Sequence, residues 1–315
     1  MKRTIDGISV MSELGAGTRG SSLGLQALQI AEWNAGGNLF NTLKFDPVPT
    51  ENNLIYKPVN TPNAIRIAGI ARMYEKISAR VKQSLSNGDF PFIIAGDHSS
   101  AGGTIAGIKA AYPKKRLGVV WVDAHADLHS PYTTPSGNVH GMPLATALGV
   151  NNEERQINEV SHIALDAWNL MKGAEARVKP EDLVFIAVRD TEEPENFLLD
   201  KLGIRNIETS EVRENGGKWA VETVQEQLKD CDLVYISFDV DSMDCDLISR
   251  GTGTPVSNGL TEEEATEIMR GFAAWDKVEC MEMVEINPTL DEKGNVMAET
   301  SYRVLVETIN ELNKR

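Results

Sequence analysis

Residues 117–143, LGVVWVDAHADLHSPYTTPSGNVHGMP, combine a buried strand with a group of acidic and histidine side chains. The apolar run at the start is short and rich in β-branched residues, which is typical of a central strand in a parallel sheet. Asp123, His125 and Asp127 follow at alternate positions, and in an extended chain this spacing places all three side chains on one side of the backbone. Carboxylates crowded together repel one another and are costly to bury, so the pattern indicates a cation site.

Two other apolar runs also end in acidic or histidine residues. Residues 90–95 (FPFIIA) lead into Gly96-Asp97-His98-Ser99, and residues 233–238 (LVYISF) lead into Asp239-Val240-Asp241. Because ligands bind outside the carboxyl ends of parallel strands, we expect these residues to converge on one crevice. Four carboxylates and two imidazoles are too many for one ordinary ion, so they predict two metal ions bridged by shared carboxylates. The predicted ligands are His98, Asp123, His125, Asp127, Asp239 and Asp241.

The composition narrows the class of protein. The chain has 315 residues, of which 41% are hydrophobic and 24% charged, and its net charge is −15. Nucleic acids and membrane surfaces attract basic patches, so this negative net charge argues against either as a partner.

The three cysteines are odd in number and lack metal-type spacing, which suits a reducing compartment. No segment resembles a signal peptide or a membrane span, and we therefore expect a cytoplasmic enzyme.

Strand and helix patterns alternate along the chain, without a change in composition or an internal repeat. This order predicts one domain over residues 1–315, of the α/β class, with a parallel sheet covered on both faces. Residues 163–167 are predicted to form a strand, and residues 41–62 an irregular surface connection. Hydrophobic periodicity predicts a helix that begins at Asn63 and ends at Asn87-Gly88. Other predicted helices include residues 22–33, 99–111, 142–148, 219–228, 262–272 and 299–312, and other predicted strands are residues 5–14, 183–188 and 278–284.

The segment Gly15-Ala16-Gly17-Thr18-Arg19-Gly20 fits the G-x-G-x-x-G pattern of dinucleotide-binding loops. The run before it contains Asp6, Gly7 and Ser9, which are poor residues for a buried first strand. About 20 residues later the chain has Phe40-Asn41, where such folds place an acidic residue. We therefore interpret the segment as a flexible glycine loop, positioned at the rim of the crevice.

The three acidic motifs, in this order and with these wide separations, resemble those of the arginase, or ureohydrolase, family. The similarity runs from about residue 90 to the C-terminus. The resemblance implies a three-layer α/β/α fold with a central, mostly parallel sheet. It also implies two Mn²⁺ ions, hydrolysis of a guanidino group with release of urea, and assembly into homotrimers or homohexamers.

Within the family, residues 136–141 (SGNVHG) are similar to the loop with which arginases hold the α-carboxylate of L-arginine. The resemblance assigns this contact to Thr134, Ser136 and Asn138, and it assigns the α-amino contact to the acidic segment that contains Glu192 and Glu195. Thr254, in a second matching motif, Gly253-Thr254-Pro255, is a further substrate contact that the resemblance implies. The implied reaction converts L-arginine to urea and L-ornithine.

The resemblance also implies a role for each residue of the catalytic group. Asp123 and Asp239 would bridge the two ions, with His98 and Asp127 completing one and His125 and Asp241 the other. A metal-bridging hydroxide would attack the guanidinium carbon. The implied catalytic residues are Asp127, which passes a proton to the departing amine, His140, which exchanges protons with bulk water, and Glu285, which orients the guanidinium.

Three positions depart from the family pattern. His129 occupies a position where arginases commonly have asparagine, Glu192 one where they have aspartate, and Cys245 one where they have proline. The departures at His129 and Glu192 leave the substrate open. The alternatives to an arginase are an agmatinase, a formimidoylglutamase or another guanidino-acid ureohydrolase. Two more distant alternatives are a dinuclear phosphoesterase and a non-catalytic metal site. The first is disfavoured because no Arg or Lys clamp accompanies the ligand motifs. The second is disfavoured because candidates for proton transfer lie beside a full set of ligands.

Overall fold

A single parallel sheet forms the centre of the computed structural model, which describes residues 3–315. Within these residues the sheet has eight strands in the order β2-β1-β3-β8-β7-β4-β5-β6, and each neighbouring pair is parallel. The strands are β1 Ile5–Val10, β2 Phe45–Pro47, β3 Phe90–Ala95, β4 Leu117–Val122, β5 Leu183–Ile186, β6 Arg205–Ile207, β7 Leu233–Asp239 and β8 Val278–Val284. The sequence prediction of an α/β fold with a parallel central sheet is confirmed.

Helices cover both faces of this sheet. Those described are α1 Gly24–Ala35, α2 Leu39–Thr42, α3 Ile67–Ser86, α4 Ser100–Ala111, α5 Pro143–Leu148, α6 His162–Lys172, α7 Glu193–Leu202, α8 Thr209–Asn215, α9 Gly217–Gln227, α10 Glu262–Ala273 and α11 Val296–Leu312. Apolar residues of α1, α9, α10 and α11 pack on one face, and those of α3, α4 and α5 on the other. In the part of the chain that the structure describes, no helix is long and apolar enough to cross a membrane.

Strand β4 shows why its apolar run is continuous rather than alternating. Val120 and Val122 pack against the first helical layer, whereas Val119 and Trp121 pack against the second. All four side chains are fully buried. A strand buried on both faces needs apolar residues at every position, which is the pattern in the sequence.

The strand predicted at residues 163–167 is wrong, because these residues belong to α6. Ser161 caps this helix by accepting a hydrogen bond from the backbone N–H of Ala164. Ala164, Trp168 and Met171 are buried on one side of it, at the spacing of a helix. Five residues are too few for hydrophobic periodicity to distinguish a strand from a helix. Trp168 and Met171, which complete the helical spacing, lie beyond those five residues.

The predicted irregular connection over residues 41–62 is wrong in part. Phe45–Pro47 form the edge strand β2, which pairs with β1. Pro47 lacks a backbone N–H, and such a residue is tolerated in an edge strand. The boundary of α3 also differs from the prediction: it begins at Ile67 rather than Asn63, since Arg66 has a left-handed backbone with φ of 58°.

Small residues on α4 let this helix approach α3 closely. A Cβ atom on Gly107 would lie 2.8 Å from the Ser78 carbonyl oxygen and 2.8 Å from the Val81 Cβ atom. Neither neighbour is the end of a flexible side chain, so space must come from a movement of the helix. The glycine is therefore required by packing, although it is a poor helix former.

We predict that Gly107→Ala lowers the free energy of unfolding by about 1–3 kcal/mol, because overpacking outweighs the gain in helix propensity. Urea denaturation followed by circular dichroism measures the change. The control is Ala110→Gly at an exposed position of the same helix, where the loss should be about 1 kcal/mol from propensity alone. A Gly107→Ala protein that is more stable than the wild type would contradict this packing account.

Candidate metal centre and active-site crevice

The strands that carry the acidic motifs are neighbours in the sheet. Strands β3, β8, β7 and β4 lie side by side, and all are parallel. Their carboxyl ends therefore meet at one edge. His98 follows β3, Asp123 follows β4, Asp239 ends β7 and Glu285 follows β8. Side chains from four distant segments of the chain come together for this topological reason.

A first group of ligand atoms surrounds the Nδ1 atom of His98. This nitrogen lies 3.0 Å from Asp123 Oδ2, 3.3 Å from Asp127 Oδ2 and 3.1 Å from Asp239 Oδ2. The imidazole ring stacks on the indole of Trp121, at 3.9 Å between ring centroids and 6° between planes. The four polar side chains are buried, so the ring and the three carboxylates face one small volume.

A second group surrounds the Nδ1 atom of His125. It lies 3.1 Å from Asp241 Oδ2 and 3.5 Å from Asp123 Oδ1. Asp123 thus has one oxygen in each group. The structure brings all six predicted ligands together, in two groups that share a carboxylate.

Two buried atoms of these groups test whether the residues fit a metal ion. In residues 3–315, His98 Nδ1 and Asp123 Oδ2 lie 3.0 Å apart but form no hydrogen bond, either with each other or with any other atom. Buried polar atoms without partners are rare and costly, and an ion between them would satisfy both. Carboxylate and imidazole donors suit a divalent ion such as Mn²⁺. The residues therefore fit the metal that the family resemblance implies.

The electrostatics of the groups point the same way. Burial raises the pKa of Asp127 well above its usual value, and the charge of Asp123 raises it further. Burial also raises the pKa of Asp239, with repulsion from Asp241 and Asp123 adding to the shift. Although burial lowers the pKa of His98, its contacts with Asp123 and Asp239 outweigh burial and raise that pKa well above its usual value. A bound dication would relieve this repulsion.

Two acidic residues of the site have unusual backbone conformations. Asp127 has a φ of 50° and Glu285 a φ of 67°, both in the left-handed region. Residues other than glycine rarely adopt this conformation, and each such case costs about 1–3 kcal/mol. The surrounding structure therefore holds both carboxylates in place against a local cost.

A crevice of about 270 Å³ opens above the two groups. All six substrate-contact residues predicted from the sequence line it. These are Thr134, Ser136, Asn138, Glu192, Glu195 and Thr254. His140 and Asp127 also line the crevice, so two of the three predicted catalytic residues reach it.

Glu285 lies behind this lining and is only 2% exposed. Its Oε1 atom accepts a hydrogen bond from the His98 backbone N–H at 3.0 Å and lies 3.0 Å from His140 Nδ1. Burial lowers the pKa of His140, but Glu285 more than compensates and raises it to about 9. In the described residues the second oxygen, Oε2, is buried without a hydrogen-bond partner. That oxygen is available for a donor from a bound molecule.

Two of the three departures from the family pattern, His129 and Glu192, contact each other. His129 Nε2 lies 3.3 Å from Glu192 Oε2 and 3.5 Å from Glu195 Oε2, and His129 Nδ1 lies 3.2 Å from Thr133 Oγ1. Glu192 caps α7, and Glu195 completes the capping box by accepting a hydrogen bond from the Glu192 backbone N–H. These contacts fix the acidic wall of the crevice.

Asp190 is a crevice residue that was absent from the predicted site residues. Its Oδ2 atom lies 3.6 Å from His125 Nε2. The sequence did indicate an acidic residue here, because Asp190 follows β5, and β5 is the neighbour of β4 in the sheet. Several acidic residues follow this strand, and no local pattern distinguishes Asp190 from the others.

The glycine loop at residues 15–20 lies beside the crevice. The Gly15 backbone N–H donates to Asp97 Oδ2, and the Gly15 carbonyl accepts a hydrogen bond from the His140 backbone N–H. A Cβ atom on Gly17 would lie 2.6 Å from the side-chain nitrogen of Asn138. The loop therefore supports His140 and Asn138 from behind.

Comparisons with known proteins agree with this arrangement. A family model described as "Arginase family" matches residues 7–310. The arginase of Bacillus subtilis (strain 168) is 32% identical over 298 residues, which cover 93% of this chain and 94% of that protein. The native structure of Bacillus caldovelox arginase at pH 5.6 superposes with a TM-score of 0.82 and 32% identity, over 97% of this chain and 98% of that one. Entamoeba histolytica arginase in complex with L-ornithine gives a TM-score of 0.81 and 25% identity, over 99% of both chains.

The fold and the family match define the class of protein as a ureohydrolase, a metal-dependent hydrolase of guanidino groups. More particularly, the chain belongs to the arginase family. The match begins at residue 7, so it is wider than the similarity from residue 90 that the motifs indicated. The additional part includes residues 7–10 of β1 and the glycine loop.

We predict that Asp123→Ala abolishes metal loading, because this residue supplies an oxygen to both groups. Metal analysis after dialysis in Mn²⁺ should find about two ions per wild-type chain and fewer than one in the variant. The control is Asp276→Ala, which removes the same charge from a side chain that is 98% exposed and lies before β8, at the end of that strand opposite the crevice. Full Mn²⁺ occupancy in the Asp123→Ala protein would contradict the shared-carboxylate assignment.

Proposed function

We propose that this protein hydrolyses the guanidino group of L-arginine to urea and L-ornithine, with two Mn²⁺ ions. The observation that carries the proposal is the division of the Asp123 carboxylate between two groups of ligand atoms beneath a polar crevice. The family match supports the reaction class. The L-ornithine complex of the Entamoeba histolytica arginase supports the amino-acid product.

The six buried residues would hold the metal pair. His98 and Asp127 would complete one ion, His125 and Asp241 the other, and Asp123 and Asp239 would bridge them. When bound, such a pair lowers the pKa of water enough to supply a nucleophile near neutral pH. Asp239 Oδ2 lies 3.1 Å from His98 Nδ1, and Asp241 Oδ2 lies 3.1 Å from His125 Nδ1. The bridging role of Asp239 rests on the family resemblance.

The remaining catalytic residues would orient the substrate and move protons. Asp127 lines the crevice beside the ligand groups, so it is placed to accept a proton and pass it to the departing amine. Glu285 holds His140 through Nδ1, which leaves Nε2 for exchange with substrate or water. The unpaired Oε2 of Glu285 would accept a hydrogen bond from the guanidinium.

The two walls of the crevice differ in chemistry, and the difference supports an α-amino acid as substrate. One wall has the hydroxyl and amide groups of Thr134, Ser136 and Asn138, which suit a carboxylate. The other has carboxylates, including Glu192, which suit an ammonium group. A zwitterionic end satisfies both walls. Agmatine is the second candidate, since it keeps the amine for the acidic wall but presents no carboxylate to the other.

Two of the predicted substrate-contact residues, Glu195 and Thr254, form hydrogen bonds within the protein. Glu195 accepts hydrogen bonds from the backbone N–H groups of Leu128 and Glu192, so we propose that it shapes the acidic wall. The Thr254 hydroxyl donates to Asp241 Oδ2 at 3.1 Å, and it would orient that carboxylate. Glu192 is then the stronger candidate for a direct contact with the α-amino group.

We also propose that the chain is one ureohydrolase domain that acts in the cytoplasm as a homotrimer or homohexamer. One sheet extends from β1 to β8, which supports the single domain. The three cysteines are buried and free, as suits a reducing compartment. The family resemblance supports the assembly.

The experiment that tests the proposed function measures urea release by the Mn²⁺-loaded protein. The substrates are L-arginine, agmatine and guanidinobutyrate, with a formamide assay on formimidoylglutamate in parallel. We expect the highest kcat/KM with L-arginine. A preference for agmatine would select the second candidate, and urea release from none of the three would overturn the proposal.

A pair of variants tests the two walls. We predict that Asn138→Ala raises the KM for L-arginine about tenfold and the KM for agmatine much less, because only arginine presents a carboxylate to this residue. Glu192→Ala serves as the matched control, since it should raise both KM values. Equal effects of Asn138→Ala on the two substrates would contradict carboxylate recognition by this wall.

A further inference from the structure

The glycine loop at residues 15–20 touches the wall of the crevice that contains Asn138. The three atoms nearest to a Cβ atom on Gly17 would all belong to the side-chain amide of Asn138, at 2.6 Å for Nδ2, 3.4 Å for Cγ and 3.7 Å for Oδ1. Gly17 is exposed, and its backbone does not have the left-handed conformation that favours glycine. An alanine at this position would therefore conflict with Asn138 and not with its own backbone.

Hydrogen bonds hold the glycine loop, so the backbone at Gly17 has little freedom to retreat from a new side chain. Arg19 Nη1 donates to the carbonyl oxygens of Glu13 and Ala16, each at 3.0 Å. Glu13 Oε2 in turn accepts a hydrogen bond from the Gly20 backbone N–H at 2.7 Å. The residues on both sides of Gly17 are thus tied to the same short segment.

The backbone of the facing wall is also held, whereas the end of the Asn138 side chain is not. The Asn138 backbone N–H donates to Ser136 Oγ at 3.2 Å, and the Gly137 carbonyl accepts from the Ile65 backbone N–H at 2.8 Å. In residues 3–315, no hydrogen bond within the protein holds the side-chain amide of Asn138. A methyl group on residue 17 would therefore displace this amide and leave both backbones in place.

We propose that Gly17 is a positioning residue that determines substrate specificity, because its missing side chain leaves the space in which the Asn138 amide meets an α-carboxylate. The inference rests on the carboxylate contact of the proposed function. It makes the glycine loop, which has no part in that proposal, a determinant of the choice between L-arginine and agmatine. Agmatine has the same guanidino group but no carboxylate, so a change at Gly17 should leave its binding unaltered.

The test compares Gly17→Ala with the wild type in the urea-release assay, with both proteins loaded with Mn²⁺. We expect the KM for L-arginine to rise about three- to tenfold, since the displaced amide loses part of its hydrogen bond to the carboxylate. The kcat for L-arginine and the KM for agmatine should stay within about twofold of the wild type, because the metal ligands and the acidic wall are unchanged. If agmatine is hydrolysed too slowly, its inhibition constant against L-arginine replaces its KM.

The decisive comparison uses Asn138→Ala, which removes the atoms that a methyl group on residue 17 would meet. In this background Gly17→Ala should change the KM for L-arginine by less than about twofold, so the two substitutions should not be additive. The matched control is Thr18→Ala, which alters the next position of the loop without adding an atom beside Asn138. In this control the ratio of the KM for L-arginine to the KM for agmatine should stay within about twofold of the wild type.

A wild-type ratio of the two KM values in Gly17→Ala would overturn the inference. So would an equal rise in both KM values, or a full effect of Gly17→Ala in the Asn138→Ala background. Circular dichroism checks that the variant folds. A Gly17→Ala protein that does not fold would also contradict the inference, because the loop and not the Asn138 amide would then have given way.

Failure of the proposed function gives a different pattern of results. Asn138→Ala would itself leave the ratio of KM values unchanged, or the wild type would release no urea from either substrate. By contrast, an altered ratio in Asn138→Ala together with a wild-type ratio in Gly17→Ala would refute only the role of Gly17.

Discussion

Repulsion among buried carboxylates is the constraint on which this structure depends. Asp123, Asp127, Asp239 and Asp241 lie within a few ångströms of two imidazoles, and burial together with mutual repulsion raises the pKa values of three of them, Asp127, Asp239 and Asp241. Such a group is unfavourable unless positive charge accompanies it. The parallel sheet supplies the rigidity that holds it, because four adjacent strands end at the same edge. The left-handed backbone at Asp127 is one local cost of this arrangement.

Contacts behind the crevice join these ligands to the residues that would handle protons. Glu285 contacts both the His98 backbone and the His140 ring. Burial raises the pKa of the neighbouring Asp97 to about 6, and the charge of Glu285 adds to that shift. Asp97 in turn holds the Gly15 backbone, whose carbonyl supports His140. The glycine loop and the strand ends therefore act as one support for the crevice.

The sequence was most informative where short-range pattern and topology coincide. The alternate spacing of Asp123, His125 and Asp127 could be interpreted directly, because it follows an apolar strand whose carboxyl end opens onto the crevice. The α6 segment was misassigned, since five apolar-rich residues do not distinguish a strand from a helix. The edge strand β2 was missed because it has only three residues and contains a proline.

Other features depend on contacts between distant residues, and no local pattern indicates them. His129 and Glu192 were recognised as separate departures, but only the folded chain shows that they touch. Glu282 lies in the sequence VECMEMV, three residues after Glu279, and no alternation of polar residues there indicates which face of the strand it occupies. Its burial follows from the hydroxyl groups of α4 and β7, which are brought to it by tertiary packing.

The most direct test of the shared-carboxylate site is anomalous diffraction at the manganese edge, from crystals of the protein grown with Mn²⁺. We predict two anomalous peaks per chain, about 3.5–4 Å apart, with the Asp123 carboxylate between them. A single peak, or peaks away from His98 and His125, would contradict the account.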